Sequence, residues 1–424
     1  MRTFLINGRV VDGTGAPALE PATLVVDGST IAYCGAPEPA PQPRAGDCVV
    51  DLVGKTLVPG LFNVHVHLAL RLPFPERRYD QFNVGYRALL MYRRAVEAII
   101  SGTTTLRCVG EAHFTDIDVR NAINKGVLAG PRILCAGAAM IATGGHGHNS
   151  MSCVEADGVA GFLAAARTQL RAGADLLKIC LTGGIGTPGE KPADKQMRDE
   201  EVAAVVDVAH AAHKIVASHT GGDQPVKDAV RLGVDCIEHG YQFGEEAAAM
   251  MAEAGTYLVP TLCVTQELDY MRRHGVQEWM LSKAKAAADE HIASIRRAVA
   301  AGVTIGNGTD LLPSDPVDGT VATIREVEIL TETGLTPLEA IRAATYNSAK
   351  ICGVEQVTGT LVAGKEADLL VIDGKPDQRI RDLRAIKLVM RGGNVFRSEL
   401  AGIEAPGLAM PGITPADGTF AKVY

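Results

Sequence analysis

Residues 57–67 read Leu-Val-Pro-Gly-Leu-Phe-Asn-Val-His-Val-His, and the pattern of the chain changes at this point. Before it, residues 1–56 form short apolar runs broken by Gly and Pro, without helical periodicity. After it, apolar runs rich in β-forming residues alternate with amphipathic helical stretches. The stretch itself predicts a strand, on which His65 and His67 point to the same face.

Eight strand-like runs follow in the middle of the chain, with helical stretches such as 155–172, 199–213 and 283–301 between them. The runs are 62–68, 103–109, 132–136, 176–181, 215–218, 236–238, 257–261 and 303–306. Repeated β-run and helix predict an α/β protein with a closed (β/α)8 TIM barrel. A doubly wound sheet stays open as the alternative, because spacing alone does not show closure.

Both ends of the chain share a different composition, with short strand candidates and Gly-rich turns. The candidates at the start are 3–6, 9–11, 22–26, 30–34 and 48–52, and those near the end are 359–361, 369–372 and 387–390. We therefore expect a small β-sandwich domain made from residues 1–56 and 356–424, beside a barrel domain of residues 57–355. The last 25 residues are rich in Pro and Gly and are expected to form an arm or an extended edge.

Composition excludes several classes of protein. The net charge of −8 and the lack of a Lys/Arg-rich run argue against a nucleic-acid partner. No run of about 18 apolar residues occurs, so we expect no membrane span. The nine Cys are scattered without a CxxC pair, which is typical of reduced thiols. Together with an N-terminus that does not resemble a signal peptide, this predicts a cytoplasmic protein.

Ionisable side chains end five of the predicted barrel strands, where a TIM barrel places its catalytic groups. Such side chains are costly to bury unpaired, so six of them at one barrel mouth predict a shared cation or pair of cations. Taken singly, each has a plain structural explanation: a hydrogen-bonded core histidine, a lysine paired with Asp175 or Glu238, or an aspartate capping a helix. The six are His65, His67, Lys178, His219, His239 and Asp310.

This set resembles the amidohydrolase superfamily over essentially the whole chain. The local sequences around Lys178, His219, His239 and Asp310 are Leu-Leu-Lys-Ile, Ser-His-Thr, Ile-Glu-His-Gly and Gly-Thr-Asp. They are similar to the branch with Xaa-Pro and Xaa-Arg dipeptidase-type carboxypeptidases, ochratoxinase and, more distantly, imidazolonepropionase. The resemblance implies hydrolysis of an amide bond in N-acyl amino acids, dipeptides or ochratoxin-like amides, by attack of a metal-bridging hydroxide. A cyclic amide or imidazolone ring is the alternative substrate.

The resemblance also implies metal ligands. His65, His67 and Asp310 would hold one ion, and His219 and His239 the other. Lys178 would be carboxylated and would bridge the two, because an ammonium group has no lone pair for a metal. Imidazole and carboxylate ligands favour zinc, so two Zn²⁺ per subunit are expected. Asp310 would also move the proton between the attacking water and the leaving amine.

Further residues are candidates for binding a small-molecule amide substrate. Tyr241 would donate a hydrogen bond to the oxyanion, and His146 and His148 lie on the predicted loop after the third barrel strand. For a substrate carboxylate, the cations available in the loop after the first strand are Arg71, Arg77 and Arg78. Asn63 stands where the superfamily usually carries Asp; as a partner of a ligand imidazole it would lack that charge.

Two rival interpretations remain at this stage. Gly184-Ile-Gly186-Thr-Pro-Gly189 matches the GxGxxG pattern of dinucleotide-binding proteins, but Pro188 interrupts it and no helical stretch follows directly. A non-catalytic metal-binding scaffold of the same superfamily is the second rival, and metal analysis would separate it from an enzyme. We also expect a homo-oligomer, as is common for this kind of protein.

Overall fold

A computed structural model of the protein describes residues 2–69, 83–150 and 152–405. Its strands are numbered here in chain order. They are β1 (Arg2–Val10), β2 (Leu19–Asp27), β3 (Thr30–Gly35), β4 (Cys48–Asp51), β5 (Lys55–Pro59), β6 (Leu61–Val66), β7 (Thr103–Cys108), β8 (Arg132–Cys135), β9 (Ala139–Ile141), β10 (Cys153–Glu155), β11 (Leu177–Cys180), β12 (Val216–Gly221), β13 (Cys236–Tyr241), β14 (Tyr257–Val259), β15 (Pro316–Val317), β16 (Thr320–Val321), β17 (Leu369–Asp373), β18 (Ile386–Arg391) and β19 (Asn394–Ser398).

The helices are numbered in the same way. They are α1 (Val84–Ile100), α2 (Thr115–Asn124), α3 (Gly158–Ala172), α4 (Asp199–Ala211), α5 (Asp223–Arg231), α6 (Glu245–Ala254), α7 (Cys263–Gln266), α8 (Leu268–Arg273), α9 (Glu278–Ala301), α10 (Ala322–Glu332), α11 (Pro337–Arg342) and α12 (Ser348–Ile351). A π-helical turn, Ala343–Asn347, joins α11 to α12. No helix in the described part of the chain is both long and apolar enough to cross a membrane.

The chain divides into two compact units, and the first comprises Met1–Phe62, Val96–Thr105 and Leu335–Tyr424. Strands from both ends of the chain form one sheet here, in the order β19-β18-β17-β5-β1-β2-β3, with β4 paired to β1. The two ends meet where β17 pairs antiparallel with β5, Leu370 opposite Val58. Alternating apolar side chains of these strands, such as Leu5, Leu24 and Leu388, build a core of their own.

The second unit comprises Asn63–Ala95 and Leu106–Gly334, and most of the alternating strands and helices of the middle of the chain lie in it. Parallel pairing links β11, β12, β13 and β14, while β6, β7 and β8 form a second sheet. Backbone hydrogen bonds extend both sheets at their edges: Asp175 N, just before β11, donates to Cys135 O of β8, and Val64 N of β6 donates to Asn307 O in the eighth run. The alternating strands and helices confirm the α/β, (β/α)8 class expected from the sequence.

Two predicted strands are wrong in detail. The eighth barrel strand, predicted over 303–306, is reduced to a single bridge between Ile305 and Leu258. Residues 359–361 do not form a strand, because Gly359 takes a left-handed φ of 87° and turns the chain. Predicted helices begin or end within a few residues of those observed, except the one over 337–349, which the π-helical turn divides.

Candidate active site

The ends of the barrel strands bring the predicted ionisable residues together in the second unit. The ring centroids of His65 and His239 lie 4.8 Å apart, and those of His219 and His239 lie 4.3 Å apart. Asp310 lies beside them, with Oδ1 at 3.5 Å from His65 Nε2 and 3.4 Å from His67 Nε2. The ligand atoms of His65, His239 and Asp310 are close enough to share one metal ion.

Exposure differs across this cluster of side chains. His65, His219 and His239 are buried, whereas the side chains of His67 and Asp310 keep 19% and 23% of their surface exposed. Within the described part of the chain, the site is therefore most exposed at His67 and Asp310.

Lys178 lies on β11 and is only 2% exposed. Its Nζ has no hydrogen-bond partner among the residues that the structure describes. The two acids considered as partners from the sequence are engaged elsewhere: Asp175 pairs with Arg120, and Glu238 pairs with Arg107. A buried amine without an acceptor is unfavourable, so this position calls for a further group to bind it or modify it.

Each clustered histidine is oriented by a hydrogen bond to one ring nitrogen. His65 Nδ1 lies 2.6 Å from Glu238 Oε2, His67 Nδ1 lies 2.8 Å from Gly110 O, and His239 Nδ1 lies 2.6 Å from Thr261 Oγ1. His219 differs, because its Nε2 lies 3.0 Å from Gly183 O. Among the described residues no hydrogen bond engages the second nitrogen of any of these rings, which is the arrangement that a metal-binding histidine needs.

The electrostatics favour neutral imidazoles. Burial lowers the pKa of His65, of His219 and of His239, and the charge of Lys178 adds to this effect. For His67, burial is again the main cause and lowers the pKa to about 4. Asp310 shifts the other way: burial raises its pKa, although the charges of His65 and Lys178 oppose this. Neutral imidazoles have the lone pairs that a cation requires.

The backbone is unusual where β13, β14 and the eighth run end. His239, Thr261 and Asp310 adopt left-handed conformations, with φ of 67°, 55° and 53°. For the β-branched Thr261 this is a true outlier, and residues held in this way cluster at functional sites. At His239 it breaks the strand alternation, so that both Glu238 and His239 approach the ring of His65.

Of the predicted substrate-binding residues, His146 and Tyr241 touch the cluster. The His146 ring stacks on His219 with centroids 4.2 Å apart, and its Nδ1 bonds Glu190 Oε1. Tyr241 stacks on His239 at 5.2 Å. Burial and the charge of Asp310 raise the pKa of Tyr241, which therefore keeps its hydroxyl proton. His148 is exposed and its Nδ1 donates to Gly145 O, without a ring contact to the cluster among the described residues.

Asn63 does not play the part considered for it from the sequence. Its Nδ2 donates to Thr309 Oγ1 at 2.8 Å and to Thr323 Oγ1 at 3.1 Å. Its Oδ1 accepts from the backbone N–H groups of Thr309 and His65. Within the described chain these bonds reach no imidazole, so Asn63 holds the turn that leads into Asp310.

Sequence reasoning missed the roles of Arg107, Glu238 and His291. Arg107 and Glu238 form a fully buried ion pair behind His65, and His291 Nε2 donates to the carbonyl oxygen of His239 at 2.9 Å. A signal for the pair existed, since Arg107 interrupts the apolar strand of residues 103–109 and a buried guanidinium needs an acid. His291 lies on α9 and gave no comparable signal.

Two other hypotheses from the sequence have plain outcomes. The Gly184–Gly189 segment is a loop rather than a strand-to-helix turn, which removes the geometry that a dinucleotide-binding motif requires. Arg71, Arg77 and Arg78 lie outside the described residues.

Comparison with known proteins agrees with this arrangement. A profile of the amidohydrolase family matches residues 56–396. The chain is 29% identical to ochratoxinase of Aspergillus niger, over 93% of this chain and 86% of that protein. A crystal structure of a prolidase complexed with N-methylphosphonate-L-proline superimposes with a TM-score of 0.86 at 29% identity, covering 94% of this chain and all of that one.

A second solved structure, a Xaa-Pro dipeptidase with bound methionine, has a TM-score of 0.83 at 30% identity, again over 94% of this chain and 100% of its own. The match extends over most of the sequence and over the full length of both crystal structures. The chain therefore belongs to the amidohydrolase family and is a hydrolase that acts on carbon–nitrogen bonds.

Proposed function

We propose that this protein is a binuclear metal-dependent amidohydrolase that releases a C-terminal amino acid from N-acyl amino acids, dipeptides or ochratoxin-like amides. The observation that carries the proposal is the convergence of four histidines and Asp310 on one barrel mouth, next to the buried amine of Lys178, which has no hydrogen-bond partner among the described residues. The likeness to a prolidase, a Xaa-Pro dipeptidase and ochratoxinase supports this class of substrate.

The residues present fit a pair of divalent cations. His65, His67 and Asp310 would hold one ion, and His219 and His239 the other. Lys178 would be the ligand shared by the two ions once its amine had added CO2: the neutral nitrogen would form a bond to carbon and lose a proton, which gives a carbamate anion. A carbamate beside bound cations would have the partners that the amine lacks among the described residues. Imidazole nitrogens with carboxylate oxygens favour zinc.

Bound divalent cations would supply two things, a coordinated water acidic enough to lose a proton near neutral pH and a polarised substrate carbonyl. The chain's own residues do the rest. Asp310 lies at the most exposed part of the described site, and its raised pKa suits a carboxylate that takes a proton from the attacking water. The same carboxyl group then delivers the proton to the leaving nitrogen as the amide C–N bond breaks.

Three residues, Tyr241, His146 and His148, would orient the substrate. Tyr241, held as a protonated phenol by burial, would donate to the developing oxyanion. His146, fixed in place by Glu190, would contact the substrate from the neighbouring loop. His148 is proposed to do so from the exposed part of that loop.

The test combines metal analysis with a substrate panel. We expect the purified protein to contain divalent metal and to hydrolyse members of a set of N-acyl amino acids and dipeptides. Asp310→Asn should lower kcat by about 10²–10⁴-fold, the usual contribution of a general acid–base group. Lys178→Ala should abolish both turnover and binding of the second ion. The exposed substitutions Asp269→Asn and Lys285→Ala serve as matched controls and should leave turnover unchanged.

Three results would contradict the proposal. Protein that neither contains nor takes up zinc or cobalt would point to the non-catalytic scaffold. Substantial turnover in Asp310→Asn would remove the proton-transfer role. Activity confined to cyclic amides or imidazolones would move the enzyme to the alternative substrate class.

A further inference from the structure

We infer that Glu238, clamped by Arg107, is the positioning residue that fixes the ring of His65 for metal binding. The inference rests on the proposed function in one respect, because it takes His65 as a metal ligand. It concerns Arg107 on β7 and Glu238 on β13, which form the buried ion pair described above.

The contact between Glu238 and His65 sets the tautomer of the ring. Glu238 Oε2 lies 2.6 Å from His65 Nδ1, and a carboxylate at that distance accepts the Nδ1–H proton. Nε2 of the ring then carries the lone pair, and it is the atom that faces Asp310 Oδ1 at 3.5 Å. The hydrogen bond thus turns the free nitrogen toward the rest of the cluster.

Arg107 holds the other side of the carboxylate. Its Nη2 donates to Glu238 Oε1 at 2.6 Å, while its Nε donates to the carbonyl oxygen of Val64, the residue before His65. The guanidinium therefore ties Glu238 to the backbone that carries the imidazole. His65, Arg107 and Glu238 are each no more than 1% exposed, so water does not compete for these bonds.

Both oxygens of the Glu238 carboxylate therefore face a donor, His65 Nδ1 at Oε2 and Arg107 Nη2 at Oε1, each at 2.6 Å. A carboxylate acceptor of this kind orients a metal-binding imidazole and makes it more basic, and loss of such a partner commonly weakens metal binding about 10- to 100-fold.

A purely structural ion pair is the competing explanation, and it makes a different prediction. A pair that only stabilised the barrel would change the melting temperature of the metal-free protein and leave the affinity for metal unaltered. Loss of a positioning pair would change the affinity for metal and the ligand field of the bound ion, even in a variant whose metal-free melting temperature equals that of the parent.

The experiment measures zinc affinity by competition with a chelating dye in Glu238→Gln, in Arg107→Met and in the double variant. Asp116→Asn is the matched control, because this buried carboxylate accepts a backbone N–H group from Gly137 and does not bond a histidine of the described cluster. We expect about 10- to 100-fold weaker binding in Glu238→Gln and no change in the control. The visible spectrum of the cobalt(II)-loaded variant should shift as well.

The double variant guards against misfolding, because it removes both buried charges and leaves neither unpaired. It should bind zinc as weakly as Glu238→Gln, while its metal-free melting temperature stays near that of the parent. Parental zinc affinity in a folded Glu238→Gln or double variant would overturn the inference and leave the proposed function intact. A parent protein that binds no divalent ion would instead overturn the proposed function.

Discussion

At the scale of the residue, the amide of Asn63 makes hydrogen bonds that a carboxylate at the same position could not make, because a carboxylate has no N–H donor. The amide both donates and accepts, joining the start of the histidine strand to Thr309 and Thr323. Thr309 Oγ1 has already given its own proton to Leu311 O, so it faces Asn63 as an acceptor. The side chain must therefore supply a donor there.

Asn63→Asp is expected to destabilise the protein by about 1–3 kcal/mol, since a fully buried carboxylate would face acceptor atoms in place of the lost donor. It should not tighten metal binding, because the side chain reaches no imidazole in the described structure. Chemical denaturation with dye-competition titration measures both quantities. Asn124→Asp, at an exposed position, should change stability by less than about 0.5 kcal/mol. A variant of equal stability that binds metal more tightly would show that the charge acts on the site.

Contacts between residues close in sequence could be predicted, whereas contacts between distant residues could not. The adjacency of His65 and His67 follows from the two-residue period of a strand, which is a local property. The contact of Glu238 with His65 joins residues 173 positions apart and depends on how the strands pack. Glu238 was considered as a partner for Lys178, and nothing local in the sequence distinguishes that pairing from the observed one with Arg107.

At the scale of the element, the loop after β11 is fitted closely over the cluster at Gly184. A Cβ atom at this position would lie 2.4 Å from His146 Cε1 and 2.8 Å from His219 Cε1, closer than unbonded carbons can approach. Only glycine allows the loop to pass here while both rings keep their places.

Gly184→Ala is expected to lower kcat/KM by about 100-fold, because displacing a site group by about 1 Å can cost that much. Steady-state kinetics on the best substrate of the panel gives the measurement. Gly161→Ala on α3 is the control, since its added methyl meets no atom nearer than 3.7 Å. Unchanged kinetics in Gly184→Ala would mean that His146 and His219 can move without consequence.

Helix α10 carries a buried carboxylate, Glu326, that fixes a neighbouring turn. Glu326 accepts hydrogen bonds from the backbone N–H groups of Leu262 and Cys263 at 2.6 and 2.8 Å, and so holds the turn that follows Thr261. Burial raises the pKa of Glu326 to about 7, although these bonds oppose the shift. The folded state thus binds a proton that the unfolded state releases near pH 4.5.

The raised pKa of Glu326 makes the stability of the protein fall as the pH rises. The stabilising effect of the proton is complete below pH 4.5 and is lost as the pH rises to about 7. Glu326→Gln lacks this titration. Its free energy of unfolding, compared with that of the parent, should therefore rise by about 3 kcal/mol as the pH goes from 4.5 to about 7. Urea denaturation of both proteins across this range tests it, and the exposed Glu253→Gln should show no such trend. A pH-independent difference would contradict the shifted pKa.

Elements also show where the sequence predicts well. Runs of β-forming residues separated by amphipathic helices located the seven barrel strands and the class of fold. The prediction of a regular eighth strand was wrong, because Gly308 lets this run pass close to β6 and β14 while only the Ile305–Leu258 bridge forms. At Gly308 a Cβ would lie 2.7 Å from His65 Cβ. Such close approach is a property of the assembled barrel.

At the scale of the whole molecule, all six proposed metal ligands belong to the second unit. Ligand binding stabilises the folded state by about 2.7 kcal/mol at a hundredfold excess over Kd. Removing the metal with a chelator should therefore speed hydrogen exchange about 100-fold in β12 and β13 and leave β1 and β17 unchanged. Exchange read by mass spectrometry, with zinc returned as the control, gives the answer. Equal changes in both units, or none, would contradict the assignment of the ligands.

The left-handed backbone at His239, Thr261 and Asp310 has a consequence for engineering. Each such residue costs about 1–3 kcal/mol unless its type tolerates the conformation, as His and Asp partly do and Thr does not. Natural domains have only about 5–15 kcal/mol of net stability, so relieving the backbone strain at these three positions would raise the free energy of unfolding by a large fraction of the total. Selection for thermal tolerance alone would drive Thr261 toward glycine or asparagine, and would release His239 from its hydroxyl partner as it did so. Thermostability and turnover should accordingly be selected together in this protein, with the three positions held fixed.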